Sequence, residues 1–242
     1  MSYYKISSND VKHYITSFNN SEVFYDYFRN MINNVDCMGI YCQDSFFFEK
    51  YNFDMSIRIK NDIIINYILE NTHQFFDIIN DINSNDNEYY IYFPNYAIMI
   101  DNELNIYKIY LGHPNTFINP ETKYHLSKEP IENNFGFENE YTFSTKNDLK
   151  ENIIRCLKGE CADLYINDNC FFDATSSKKV DIINNMIVRN HIIDNIDEIF
   201  NNVFVDTIVI NMYDKVCAFN CHTILITFND NINVFISRTY YY

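Results

Sequence analysis

Apolar side chains recur at helical spacing in two segments of the chain, residues 21–33 and 147–158. Positions three, four and seven residues apart share one face of a helix, so both segments predict amphipathic helices that pack on a core. Asn20 or Ser21 and Asn147 are the expected N-caps. The apolar positions are Val23, Phe24, Tyr27, Phe28, Met31 and Ile32 in the first segment and Leu149, Ile153, Ile154 and Leu157 in the second.

Stretches rich in aromatic and β-branched residues follow each predicted helix and indicate strands. A hairpin comes first in each half, with turns at Gln43-Asp44 and Asp168-Asn169. A three-stranded meander ends each half. The predicted strands are 37–42, 45–51, 55–60, 88–93, 96–101 and 104–111 in the first half and 161–167, 170–175, 205–213, 215–228 and 232–239 in the second.

Between the hairpin and the meander, each half contains an apolar stretch, 62–69 or 182–190, whose spacing fits either a strand or a helix. A short apolar run cannot be assigned by its periodicity alone, so both assignments stay open. A short helix is expected after each stretch, over residues 72–82 and 192–202.

Three segments of the first half recur in the same order in the second half. Residues 37–49 align without gaps with 161–173, residues 62–71 with 181–190, and residues 100–107 with 228–235. In a chain rich in Asn and Ile, one short match arises easily by chance. Three matches in one order predict a tandem duplication.

A connecting segment separates the two halves. Three of the four Pro and two of the four Gly fall within residues 112–139, which lack sustained periodicity. We therefore predict an N-terminal domain over 1–111, a connecting loop over 112–139 and a C-terminal domain over 140–242.

If the two ambiguous stretches are strands, each domain contains two βαβββ units, whose first strands are Tyr3–Ile6 and Tyr141–Ser144. This order, in an acidic chain of this length, resembles the DNA sliding clamp family of proliferating cell nuclear antigen. The resemblance implies an α+β fold of tandem duplicated clamp-like domains, with antiparallel sheets outside and short helices on one face. The local likeness is carried by the stretches 37–59, 140–158 and 162–174.

The resemblance also implies a function. Sliding clamps are homotrimeric rings that hold double-stranded DNA weakly and without sequence preference, and tether a DNA polymerase or transcription factor that docks a short peptide motif. The cations expected to face DNA are Lys146, Lys150, Arg155, Lys158 and Arg29. The residues expected to bind a partner are Phe117, Ile118, Tyr124, Leu126 and Tyr240.

Two alternatives follow from departures from the clamp pattern. The predicted helices 72–82 and 192–202 contain no Lys or Arg, which favours a clamp-fold viral transcription or assembly scaffold that does not slide on DNA. If 62–82 is helical instead, each half becomes αββαβββ. That order resembles roadblock and longin modules, which are small interaction platforms that pair through helices or sheet edges.

Composition narrows the classes of function. The 242 residues carry a net charge of −15, which on average repels nucleic acid. Four scattered Gly are too few for a glycine-rich phosphate loop, and Cys217, Cys221 and His222 lack a second ligand pair for zinc. We expect no enzyme active site, no cofactor and no metal. Without a signal peptide or a long apolar run, we expect an intracellular protein outside the membrane. The clamp resemblance adds the nucleus or a viral replication factory.

Overall fold

The computed structural model is an α+β protein with five helices and two six-stranded antiparallel sheets among the residues that it describes. Contacts between Cα atoms divide the chain into two compact units, one of residues 1–124 with 178–183 and one of residues 125–177 with 184–242. The described residues are 3–4, 6, 10–42, 45–50, 55–82, 88–111, 117–118, 138–142, 145–158, 161–166, 169–173, 176–197, 207–213, 220–228 and 232–238.

The elements of the first half precede those of the second along the chain. The first half contains β1 (Tyr3–Tyr4), β2 (Lys12–Ser17), α1 (Ser21–Asn33), β3 (Gly39–Cys42), β4 (Ser45–Glu49), α2 (Met55–Glu70), α3 (Thr72–Ile82), β5 (Tyr89–Tyr92), β6 (Tyr96–Ile100), β7 (Asn105–Tyr110) and β8 (Phe117–Ile118). The second half contains β9 (Glu138–Thr142), α4 (Lys146–Lys158), β10 (Cys161–Ile166), β11 (Asn169–Asp173), α5 (Lys179–Asp194), β12 (Thr207–Tyr213), β13 (Asn220–Phe228) and β14 (Ile232–Arg238).

The two sheets repeat one topology. The first has the strand order β4-β3-β5-β6-β7-β2, and the second has the order β11-β10-β12-β13-β14-β9. In both, a first strand forms one edge beside the last strand of the meander, and the hairpin forms the other edge. In the described residues, the three sequence matches fall on equivalent elements, namely the hairpin strands, helices α2 and α5, and the last two strands of each meander.

The apolar stretches between hairpin and meander are helical. Residues 62–69 belong to α2 and residues 182–190 belong to α5, so the strand assignment that the βαβββ order requires is wrong at both places. Residues 55–60, predicted as a strand, form the start of α2. The buried apolar positions of α5 follow the helical period, which explains why the segment packs as a helix. They are Val180, Ile183, Ile187, Val188 and Ile192.

The first strands also differ from the prediction. β1 pairs with β8 and does not join the first six-stranded sheet, where β2 takes the edge position instead. In the second half, β9 begins before the predicted strand at 141–144 and pairs with β14. Apart from β1 and β8, the described elements of the first half therefore follow the order βαββααβββ, and those of the second half follow the order βαββαβββ.

Helix caps follow the local sequence. The side chain of Asn20 accepts hydrogen bonds from the backbone N–H groups of Glu22 and Val23, at 2.8 and 3.4 Å, which confirms this N-cap. Helix α4 begins one residue earlier than its predicted cap at Asn147. The Thr145 hydroxyl accepts from the Asp148 N–H at 3.1 Å and takes the capping position.

Both sheets bury Ile and Leu side chains in cross-strand rows. Ile40, Ile91 and Ile98 lie opposite one another on β3, β5 and β6, and all three are buried. In the second sheet, Ile166 and Ile208 form an equivalent buried pair on β10 and β12. Opposite residues of an antiparallel ladder share a face, so these rows form the core side of each sheet.

Aromatic rings attach helices α1 and α3 to the first sheet. Phe76 of α3 lies within 4.8 to 5.9 Å, centroid to centroid, of five other rings. These rings come from α1, α3 and β5, so one side chain joins three elements. The five rings are Phe24, Tyr25, Phe28, Phe75 and Tyr89.

Gly39 allows a close approach within the first hairpin. A Cβ atom at this position would lie 2.5 Å from the backbone carbonyl oxygen of Phe48 on the neighbouring strand β4. Because that atom is part of a paired backbone, it cannot move without disturbing the β3–β4 pairing.

Replacing Phe76 by Ala should lower the free energy of unfolding of the first unit by about 3–5 kcal/mol, since the change removes a large buried ring and leaves a cavity. Urea denaturation followed by circular dichroism measures the loss. Val23→Ala, on the exposed side of α1, is the control and should change it by less than about 0.5 kcal/mol. Equal effects of the two substitutions would contradict the central position of Phe76.

Gly39→Ala should destabilise the protein by about 1–3 kcal/mol, because the added methyl group forces strand β4 away from β3. Ser17→Ala, on an exposed strand, serves as the control. An unchanged urea midpoint for Gly39→Ala would show that the hairpin accommodates the methyl group.

Candidate interaction edge of the first sheet

Two of the cations predicted to face DNA are held by partners within their own unit. Lys150 of α4 forms an ion pair with Asp197, and its side chain is only 16% exposed. Arg29 of α1 donates from Nε to the Thr72 hydroxyl at 2.9 Å and from a terminal nitrogen to Asp26 at 2.8 Å. Both side chains bridge elements of the fold, so their predicted role in DNA binding has to compete with these contacts.

The other three cations that were predicted to contact DNA lie on α4, the helix of Lys150. Arg155 and Lys158 are exposed near the end of α4. Lys146 is the first residue of α4, and its side chain lies outside the described part of the structure. An exposed pair of cations in the last turn also interacts favourably with the helix dipole, which accounts for them without a ligand.

The predicted partner-binding residues are not brought together within the described residues. Phe117 and Ile118 form β8, where they pair with Tyr4 and Tyr3. Tyr124, Leu126 and Tyr240 fall outside the residues that the structure describes.

Of the free thiols that the structure describes, those of Cys37 and Cys42 are buried, and those of Cys156 and Cys170 are half-buried. Burial raises the pKa of Cys37, although Lys50 and the Gly39 backbone partly oppose the shift. Burial raises the pKa of Cys42 to about 12. The region of Cys217 lies outside the described residues, and among those described, no group of three His, Cys, Asp or Glu side chains could hold a metal ion.

Strand β2 presents an open edge with apolar side chains in water. It pairs with β7 on one side, and no described strand pairs with its other side. Tyr14 is 59% exposed and Ile15 is 45% exposed, and Val11 just before the strand is more exposed still. Edge strands usually carry charges or bulges that oppose pairing with another chain. Strand β2 has Lys12 at its start and a register shift after Tyr14, but the Tyr14 and Ile15 side chains at its centre are exposed and apolar, which makes this edge a candidate interaction site.

Each face of the β2 edge carries an aromatic pair. On one face, the Tyr14 and Tyr107 rings meet edge to face at 5.8 Å. On the other, His13 meets Tyr110 at 5.6 Å, also edge to face. Successive residues of a strand point to opposite faces, so these pairs flank the edge on both sides.

A cation extends one of these pairs into a row. The Lys108 ammonium lies 4.0 Å from the centre of the Tyr96 ring and 5.0 Å from that of Tyr110. Phe93 stacks on Tyr96 at 4.6 Å. Cation–π and stacking contacts thus join these side chains to one another within their own sheet.

An ionic link ties β2 to β5. Lys12 donates to Glu88 at 2.9 Å, and the Tyr90 hydroxyl donates to the same carboxylate. Partial burial acts to raise the pKa of Glu88, but the hydrogen bonds from Tyr90 and Lys12 outweigh it, and the pKa is lowered. The Lys12 charge is therefore neutralised within the unit.

The sequence contained a signal for this edge. Lys12–Ser17 reads Lys-His-Tyr-Ile-Thr-Ser, with aromatic and β-branched residues that favour strands. Residues 9–18 lay outside the element pattern of the clamp resemblance, so that pattern gave no reason to assign a strand there.

Glu88→Gln should destabilise the protein near neutral pH by about 0.2–1 kcal/mol, the range for an exposed ion pair. A carboxylate with a lowered folded pKa stabilises above its unfolded pKa of about 4.3 and loses that contribution as the pH falls through the folded pKa. The difference between wild type and variant in urea midpoints should thus shrink from pH 7 to pH 3. Glu70→Gln, on the exposed side of α2, is the control. A difference that is constant with pH would contradict the proposed network.

None of the described helices is both long and apolar enough to cross a membrane. Comparisons with protein-family models, with curated proteins and with solved structures gave no significant match. Function therefore has to be argued from the residues and the geometry of the two units.

Proposed function

We propose that this chain is a non-enzymatic protein-interaction module, built from two copies of one helix-backed sheet, that binds partners through sheet edges. The observation that carries the proposal is the edge strand β2, which exposes Tyr14 and Ile15 and is flanked by an aromatic pair on each face.

The physical basis is strand addition. An extended segment that pairs with an open edge gains main-chain hydrogen bonds along its length, and its alternate side chains contact the two faces of the sheet. Here the Tyr14–Tyr107 pair and the His13–Tyr110 pair supply apolar contact surface for both sets of side chains. Because these rings are already packed against their neighbours, little side-chain freedom is lost when a partner binds.

The order of elements supports the same class of function. Helices α2 and α5 occupy the stretches that fit either assignment. Among the described residues, the second half has the order αββαβββ after its first strand, and the first half differs from it only in having two consecutive helices, α2 and α3, before the meander. That order is the one for which the sequence resembled roadblock and longin modules, which are interaction platforms.

Sliding-clamp activity stays a prediction. It was derived from a strand at 62–69, where the chain forms helix α2. Two of the five cations assigned to DNA, Lys150 and Arg29, have partners within their own unit. Neither observation favours a ring around DNA over a protein-interaction module.

A selection from a library of random 12-residue peptides tests the proposal. We expect binders with alternating apolar and polar residues, as strand addition requires, and we expect Tyr14→Lys to weaken their binding about tenfold or more. Val23→Lys, which adds the same charge on the exposed side of α1, should leave binding unchanged. Helical binders that ignore Tyr14→Lys would contradict the use of this edge.

A titration with a 30-base-pair DNA duplex distinguishes the protein-interaction module from the sliding-clamp alternative. The interaction module should show no saturable binding at about 150 mM salt, where phosphate contacts are already weakened. Saturable binding that is lost in an Arg155→Ala, Lys158→Ala double variant would support the DNA role of α4 and count against the proposal.

A further inference from the structure

We propose that the partner of the β2 edge is a second copy of this chain, which adds its own β2 in antiparallel orientation across a two-fold axis at Tyr14. The inference rests on the proposed function and names the occupant of the same edge. The product is a symmetric dimer in which the first sheets of two chains become continuous.

The backbone of β2 is available for such pairing. The strand has six residues, and on the side away from β7 no strand of the described chain pairs with it. Edges are commonly protected by a lysine or by a bulge. The register between β2 and β7 does shift between Tyr14 and Thr16, which restricts the number of registers that an added strand can adopt.

Lys12 gives this edge little protection against pairing with another strand. Lys12 is engaged by Glu88 at 2.9 Å, on the neighbouring part of its own sheet. The Lys12 charge therefore stays paired with Glu88 when another strand binds, and its desolvation costs less than that of an unpaired lysine. Lys12 consequently protects this edge against pairing less than the sequence alone implies.

Charge distribution favours a second copy. Strand β2 contains Lys12 and His13 but no carboxylate, although the whole chain carries a net charge of −15. With the two-fold axis at Tyr14, Lys12 lies across from Thr16 of the other copy and His13 lies across from Ile15. This register places no like charges opposite one another, and cross-strand like charges are what most disfavour self-pairing.

The side chains are also complementary to themselves. Tyr14 lies at the two-fold axis, where it meets Tyr14 of the other copy beside the Tyr107 ring of its own sheet. On the opposite face, Tyr110 is 61% exposed next to His13 and would be covered by the same event. Aromatic cross-strand pairs are among the more favourable ones in sheets.

The expected dimer is weak. One six-residue strand pair buries far less than the about 800 Å² per partner of a standard stable interface, so we expect dissociation constants of about 10–100 µM. The net negative charge of the two chains opposes association at long range, and salt screens this repulsion. Dimerisation should therefore strengthen as salt is raised, whereas binding to DNA weakens.

Sedimentation equilibrium of the full chain at about 5–200 µM and at low and high salt tests the inference. We expect a monomer–dimer equilibrium that tightens with salt. Tyr14→Lys should weaken it at least about fivefold, because two like charges meet at the axis. Val23→Lys is the matched control and should leave the equilibrium constant unchanged. If Tyr14→Lys does not fold by circular dichroism, Ile15→Lys takes its place.

A charge-exchange experiment identifies the symmetric contact. Tyr14→Lys and Tyr14→Glu chains should each remain monomeric, and an equimolar mixture should recover dimer, since opposite charges then meet at the axis. A monomer at every concentration, a dimer that Tyr14→Lys leaves intact, or a mixture that stays monomeric would each overturn the inference.

Failure of the inference is distinguishable from failure of the proposed function. If the chain stays monomeric but selected peptides still require Tyr14, the edge accepts a different partner and only the self-pairing is wrong. If neither a second copy nor a peptide uses the edge, the proposed function fails as well.

Discussion

The packing of Phe76 is the interaction on which the first unit depends. Its ring contacts α1, its neighbour on α3 and the strand β5, so it joins helices to sheet at one point. The Phe75 ring beside it extends the contact to Phe47 on β4. The helices are thus fixed to this face of the sheet mainly by packed rings, which hold the strands of the first unit in place from one side.

The sequence predicted much of this architecture. Amphipathic helices, hairpins and meanders follow from periodicity and turn residues, which are local properties, and the repeat followed from matches within one chain. The helical assignment of 62–69 could not be derived. An Ile-rich run fits the periodicity of a helix and that of a strand, so its secondary structure depends on the elements that pack against it. Here those elements include α1 and α3. Strand β2 was also not assigned, because an exposed edge strand lacks the alternation of apolar and polar positions by which a half-buried strand is recognised.

Candidate sites were harder to predict than elements. The cations Lys150 and Arg29 were selected because of their helical spacing, but their partners Asp197 and Thr72 are distant in sequence. Spacing along a helix cannot show that a charge is already engaged by another element. The aromatic pair at the β2 edge could not be predicted either, because Tyr14 and Tyr107 become neighbours only when the sheet forms.

Gly39 marks a difference between the hairpins of the two sheets. Its position in the first hairpin corresponds to Asp163 in the second, where a buried acidic side chain occupies the strand. The backbone oxygen of Phe48 leaves no room for any side chain at Gly39. Although the two sheets share a topology, their hairpins are not interchangeable. If recombination gave the first hairpin the acidic side chain that the second carries at this position, that side chain would clash with the backbone of strand β4.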